Sequence, residues 1–283
     1  MKKYFFTLSL VTLSLLAQAQ LKGDTYASAK QKKSANVVYT YAEAPGFVAK
    51  DASGNVKGIC VDLMGKFVAY VKSKHGINIS VQYQSAKPDD FTYFLSEVKR
   101  SAGGVFGLSN TTITEARKKQ YNFSVPYITN IGMILSNKSV ETVSKLSDIG
   151  IVFDGMTAVT VKNSTNEKYL LDVKAKYFPT MKIEYVPSFG QVSEAILKDS
   201  KKFANLDFTY YLEAIKANKP IKRHPGGDSS AEKFGIIMPR SNDWAPLLNE
   251  FMNSGFVGSV EYRKIISDNL GSNALKFLDN MKF

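Results

Sequence analysis

Leu63, Met64, Phe67, Val68 and Val71 recur at helical spacing, His75-Gly76 closes that run, and Ile77, Ile79, Val81 and Tyr83 then alternate strictly. A period near 3.6 that gives way to a period of 2 across one glycine specifies a helix feeding a strand. Residues 37–41 supply an earlier strand. In the turn Asp51-Ala-Ser-Gly54-Asn55, Gly and Asn provide the positive φ that tight turns need. Asp89 or Asp90 opens a further helix with Phe91, Phe94, Leu95 and Val98 on its inner face. Strand, helix, strand, helix is the α/β pattern. Residues 20–36, small and polar with several lysines, are expected to form a loose leader ahead of it.

The second half repeats this grammar. Residues 159–161 and 183–186 read as strands. Ser164 with Glu167 and Ser188 with Gln191 form capping boxes, the first for a helix over 169–177, the second for a helix holding Val192, Ile196 and Leu197. Residues 203–207 are a short strand, 208–217 a helix, 234–238 a strand ending at Pro239, and 244–283 largely helical. No short-period repeat or low-complexity linker divides the chain. Two α/β units without a flexible linker suit a clamshell that holds its ligand at the strand ends between two lobes.

Lys2 and Lys3, an apolar run from Tyr4 to Leu16 and Ala17-Gln18-Ala19 before Gln20 read as a cleavable secretory signal over residues 1–19, which places the mature chain in the periplasm. The apolar run is shorter than the about 20 residues a membrane span needs. No cysteine follows the cut, which argues against a lipid anchor. The single cysteine, Cys60, cannot form an internal disulfide and is expected to act as a small buried apolar residue. About 260 residues remain, enough for two ordinary domains.

The chain carries 37 Lys and Arg against 25 Asp and Glu, a formal +12 that falls to +10 without Lys2 and Lys3. Export makes nucleic acid a poor partner, and the basic residues are scattered without interleaved aromatics. The charge therefore carries no assigned function. Only His75, read as a helix end, and His224, read as part of a His-Pro-Gly-Gly loop, could supply imidazole ligands, and neither has a metal-ligand spacing. No phosphate-loop or dinucleotide glycine pattern occurs, so neither metal nor cofactor is expected.

The segment Thr112-Ile-Thr-Glu-Ala-Arg117-Lys-Lys-Gln-Tyr-Asn-Phe-Ser-Val-Pro-Tyr127 packs several signals together. Thr112 with Glu115 reads as a capping box that starts a helix. Arg117 lies in its first turn and Ser109-Asn110-Thr111 leads into it, so hydroxyls, amides and a guanidinium converge at a positive helix end. That outlines a carboxylate site, since the planar fork of Arg meets a carboxylate with two parallel hydrogen bonds. The other reading of the same residues is a cap and a solvated surface charge.

Thr-Ile-Thr-x-x-Arg followed by Tyr-x-Phe-Ser-x-Pro-Tyr resembles the signature of the periplasmic polar amino-acid-binding proteins, the family 3 solute-binding proteins of ABC importers. The segment from Phe47 through Gly54, Gly58 and Asp62-Leu63 is similar to another element of that family. The resemblance implies a type II periplasmic-binding-protein clamshell, with two sheets flanked by helices and two interlobe crossings, here near residues 131–136 and 234–239. Lobe one would hold residues 20–132 and 238–283, and lobe two residues 133–237. It also implies a monomeric, non-enzymatic protein that captures an amino acid or similar small carboxylate and delivers it to a membrane ABC permease.

By the same resemblance Arg117 binds the ligand α-carboxylate, helped by Thr112, by Asn110 and by a hydroxyl pair from lobe two, Ser164 and Thr165. Asn163 stands where the family has Gly, a substitution that left-handed backbone permits. Ser164 and Thr165 could equally be plain helix caps. Asp207 is the carboxylate implied for the ammonium group, with helix N-cap as its other reading. Tyr41, Glu43 and Phe47 remain candidate contacts from the first loop, although Ala44 stands where many members carry an aromatic. Two further functions use the same fold: an exported cyclohexadienyl or prephenate dehydratase, with Glu43 or Glu184 as the acid to test, and an accessory or sensor binding protein.

Overall fold

The computed structural model describes residues 20–280; the leader read over residues 1–19 lies outside the described residues. Two five-stranded sheets organise the chain. The first runs Asn78–Tyr83, Ser34–Tyr41, Val105–Leu108, Ile237–Met238, Asn122–Phe123 in spatial order, its first three strands parallel and Ile237–Met238 antiparallel to both neighbours. The second runs Lys182–Tyr185, Thr157–Thr160, Lys202–Asp207, Gly132–Asn137, Ile221–His224, with Gly132–Asn137 antiparallel to the strands on either side. Between the sheets the chain passes twice along one antiparallel ribbon, Ile128–Asn130 against Glu232–Phe234. Gly132–Asn137 thus already belongs to the second sheet, and Ile237–Met238 to the first.

Helix Ile59–His75 shows how sequence becomes packing. Ile59, Leu63, Met64, Phe67 and Val71 face inward and are buried, and each large side chain removed from water contributes about 1.5–3 kcal/mol before entropy is counted. Phe67 lies against the rings of Phe106, Trp244 and Phe251, which ties the helix to the sheet and to the C-terminal helices. Gly76, at φ +65°, ends it by donating its N–H to Lys72 O. The turn at Asp51 closes a small hairpin, its carboxylate accepting from Ser53 and Asn55 N–H. Cys60 is fully buried, with its thiol pushed up to about 12 by desolvation.

The expected loose leader is instead ordered structure. Lys22–Gly23 pairs in parallel with Ala102–Gly103, and Tyr26–Lys32 is a helix. Local composition misses the reason, which is tertiary. Thr25 caps the helix by accepting from Ser28 N–H, Asp243 accepts the Tyr26 and Ala27 N–H groups, and Trp244 donates its indole N–H to Asp24 O at 2.8 Å. Partners more than 200 positions away satisfy amides that a short polar helix would leave to water.

His224 also departs from the loop expectation. It closes strand Ile221–His224 and is fully buried. Val143 N–H donates to Nδ1 at 3.0 Å, which fixes the tautomer so that Nε2–H donates to Ser136 Oγ at 2.7 Å. Desolvation first, then Lys222, lowers its pKa to about 4. The folded value lies below the unfolded one, so this histidine contributes stability above about pH 6.5 that is lost as pH falls towards 4. The stability advantage of the wild type over His224→Gln should therefore shrink by on the order of 3 kcal/mol between pH 7 and pH 4. Denaturant unfolding of both proteins at each pH measures it, and a constant gap would show that the imidazole does not titrate this way.

Candidate functional site

The face where the two lobes meet is built from the ends of strands and the starts of helices. On the first lobe, Ser109-Asn110-Thr111-Thr112 leaves the end of strand Val105–Leu108. Helix formation is delayed relative to the sequence reading. The short helix is Glu115–Lys118 and its cap is Thr114, whose hydroxyl accepts from Arg117 N–H at 3.2 Å. Thr112 is held by a bridge to Phe234 and is not a cap. Its hydroxyl is thereby left for contacts across the cleft.

Arg117 is not a solvated charge: its residue is 9% exposed. Nη1 donates to Thr112 O at 3.0 Å, and Nη2 crosses the cleft to Asn163 O at 3.1 Å. The guanidinium lies over the Phe91 ring at 5.5 Å. Burial pulls its pKa down while Glu232, Tyr121 and Asp207 hold it up. Three of its five N–H donors remain for another acceptor.

On the second lobe, Asn163 takes the left-handed conformation, φ +63°, that lets the chain turn into helix Thr165–Tyr177. Ser164 caps that helix, accepting from Glu167 N–H at 3.0 Å, and donates to Val161 O at 2.6 Å. Its hydroxyl hydrogen is thus committed within its own turn. Thr165 instead faces the first lobe. Its Oγ1 is 3.3 Å from Thr112 Oγ1, and both hydroxyls reach Glu232 Oε2, at 3.1 Å from Thr112 and 3.3 Å from Thr165.

Asp207 stands at the N-cap position of helix Phe208–Lys216 without capping it. Its carboxylate accepts from Asn130 Nδ2 at 2.9 Å and, from the opposite lobe, from Asn110 Nδ2. Asn110 is held in turn by Ser109, which donates to its Oδ1. Burial, and then the charge of Glu232, push the Asp207 carboxyl up to about 7, against the pull of Asn110, Asn130 and Asn166. Among the described residues Tyr210 Oη and Thr111 Oγ1 are buried without a hydrogen-bond partner, and Tyr210 feels the Asp207 charge.

Arg117, Thr112, Asn110, Thr165 and Asp207 therefore converge on one interlobe group. Glu232 and Asn130, both on the ribbon, and Asn166 belong to it as well. No periodicity or motif singles these three out, because their placement comes from the ribbon and from long-range pairing. Tyr41, Glu43 and Phe47 make no hydrogen bond to this group among the described residues. Phe47 packs in the core between Tyr127 and Phe234, with ring centroids 6.3 and 5.6 Å apart. Tyr41 is buried beside Glu43, whose N–H donates to Pro88 O. Glu184 lies away from the group, on an edge strand, paired with Lys202 at 2.7 Å.

The sequence model of the bacterial extracellular solute-binding proteins, family 3, matches residues 37–265. The chain belongs to that family. Solved structures place the fold of this solute-binding protein among the type II periplasmic binding proteins. The arginine-, lysine-, histidine-binding protein ArtJ of Geobacillus stearothermophilus is 18% identical with a TM-score of 0.67, over 84% of this chain and 96% of that one. A Streptococcus pneumoniae ABC uptake transporter substrate-binding protein with bound histidine is 17% identical with a TM-score of 0.68, over 88% and 97%. The ancestral amino-acid-binding protein AncCDT-1, a precursor of cyclohexadienyl dehydratase, is 18% identical with a TM-score of 0.65, over 86% and 98%. Sequence comparison with curated proteins finds no match. No helix among the described residues is long and apolar enough to cross a membrane.

Proposed function

We propose that this solute-binding protein closes on an amino acid in the periplasm, after removal of the leader, and delivers it as a monomer to an ABC importer. One observation carries the reading: the interlobe group sets the buried guanidinium of Arg117 on one lobe and the buried carboxylate of Asp207 on the other. A zwitterion with carboxylate and ammonium on one carbon matches that pair, since each ligand charge removed from water then meets an opposite charge. In this reading Arg117 takes the α-carboxylate with Thr112 and Thr165, Asp207 takes the ammonium, and Asn110 positions Asp207. Ser164 serves as a helix cap that presents Thr165. Tyr41 and Glu43 border the cleft from the first loop, and Phe47 supports it from the core. The sheets support lobe bounds at residues 20–127 and 237–280 for lobe one and 132–231 for lobe two, with the Ile128–Asn130 and Glu232–Phe234 ribbon as the hinge. Ligand contact with both lobes is what favours closure.

The test is thermal unfolding of residues 20–283 against the common amino acids, small dicarboxylates and prephenate, with calorimetry on each hit. A ligand at 100 times its Kd stabilises the native state by about 2.7 kcal/mol, a rise of several degrees. An amino-acid hit that disappears in Arg117→Ala supports the reading. Turnover of prephenate, or no hit among the amino acids, would overturn it.

A further inference from the structure

The cleft contains more negative charge than a simple amino acid can balance. Asp207 and Glu232 both face it, and among the described residues neither carboxylate forms an ion pair with a cationic side chain. Asn130 Nδ2 bridges them, 2.9 Å from Asp207 Oδ1 and 3.4 Å from Glu232 Oε2. Arg117 is the cation both act on, and two of its N–H groups already go to backbone carbonyls. A zwitterion adds one positive and one negative charge and leaves this group one negative charge in excess. A ligand with a second cationic centre brings the sum to zero. Buried charges left uncompensated are expensive, so the site discriminates by charge as well as by shape.

A second observation points to a ligand at the same place. Tyr210 Oη, on the first turn of the helix that Asp207 begins, is buried without a partner among the described residues and feels the Asp207 charge. Such a group loses free energy until something hydrogen-bonds to it. Its phenol oxygen beside the Asp207 carboxylate can accept from an ammonium.

Resting on the binding-protein reading, we infer that Glu232 is a specificity residue and that the ligand is a cationic amino acid, whose side-chain cation is balanced by the hinge-ribbon carboxylate while Asp207 holds the α-ammonium. Glu232 lies on the ribbon between the lobes, so the same contact couples the second charge to closure.

Isosteric pairs separate charge from shape: L-lysine against L-2-aminoheptanoate, and L-arginine against L-citrulline. Calorimetry at pH 8 should give at least 100-fold tighter binding for one cationic member over its neutral partner. In Glu232→Gln, which keeps an acceptor for Thr112 and Thr165, that ratio should fall at least tenfold, and the ratio is the readout because both members of a pair meet the same altered site. Equal affinities within both pairs would overturn the inference while leaving the binding-protein reading intact, provided Arg117→Ala abolishes both. Uniform tightening of all amino acids in Glu232→Gln would also overturn it, by making Glu232 a competitor for the two threonine hydroxyls. Should the variant fail to fold, the wild-type ratios alone decide the ligand class. Absence of any amino-acid binding removes both readings together.

Discussion

Replacing Arg117 with alanine is expected to weaken amino-acid binding by at least 100-fold, because a ligand carboxylate would lose two charge-assisted hydrogen bonds of about 1.5–3 kcal/mol each. The variant should also lose stability. The guanidinium donates to Thr112 O on one lobe and Asn163 O on the other, and removing it leaves one buried and one part-buried carbonyl short of a donor at about 1–3 kcal/mol each. Relief of burying a charge offsets part of that cost, as burial already pulls the Arg117 pKa down. Arg117→Lys separates the two effects. It keeps the charge but loses the planar fork, so affinity should fall more than stability does. Calorimetry and denaturant unfolding on the three proteins provide both numbers. A folded Arg117→Ala that binds within threefold of the wild type would rule out the proposed carboxylate role.

The α/β grammar was legible because it rests on local patterns: the helical spacing of Leu63, Phe67 and Val71, the alternation after Gly76, and the caps at Asp90, Ser164 and Ser188, each of which accepts from the amide three residues on. Local patterns fail where distant groups decide. Residues 20–36 have no inward-facing pattern, yet Asp243 and Trp244 order them. The Thr112 with Glu115 pair fits a capping box, but the bridge from Thr112 to Phe234 extends the chain there and moves the cap to Thr114. His224 precedes Pro-Gly-Gly and reads as a loop, while the pairing of its strand with Gly132–Asn137 buries it.

The site divides along the same line. Arg117, Asn110, Thr112 and Thr165 lie in short motifs with a recognisable order, and the structure brings them together. Glu232 and Asn130 have no motif. Each reaches the cleft because the chain crosses between lobes at that residue, and pairing of Glu232 with Asn130 across the ribbon exists only in three dimensions. Asp207 carries two readings in the sequence because any acidic residue before a helix can cap it. The side chain decides between them by turning away from its own helix towards Asn110 and Asn130.

Amino-acid affinity is expected to rise about tenfold per pH unit from about pH 5 to about pH 7 and then to level off, and Asp207→Asn should bind at least 100-fold more weakly with no such slope. The cause is the Asp207 carboxyl, pushed up to about 7 by burial first and by Glu232 second. Facing it are Glu232, the guanidinium of Arg117 and the phenols of Tyr127 and Tyr210, which stay protonated because burial holds them well above their usual value. An ammonium pairs with the ionised carboxylate, so below pH 7 binding must expel a proton and weakens as protons become abundant. Stability of the ligand-free protein runs the other way. The folded pKa lies above the unfolded one, about 3.9, so the contribution is fully present below pH 4 and is lost as pH rises through 7, with a magnitude on the order of 4 kcal/mol. His224 acts oppositely over nearly the same range, and the wild-type profile should be flatter than that of either variant. Asp207→Asn then exposes the acid-side loss due to His224, and His224→Gln exposes the loss towards neutral pH due to Asp207. Calorimetry from pH 5 to 8, with denaturant unfolding of the three proteins from pH 4 to 8, tests both signs. A pH-independent wild-type affinity would mean that the ligand does not pair with Asp207.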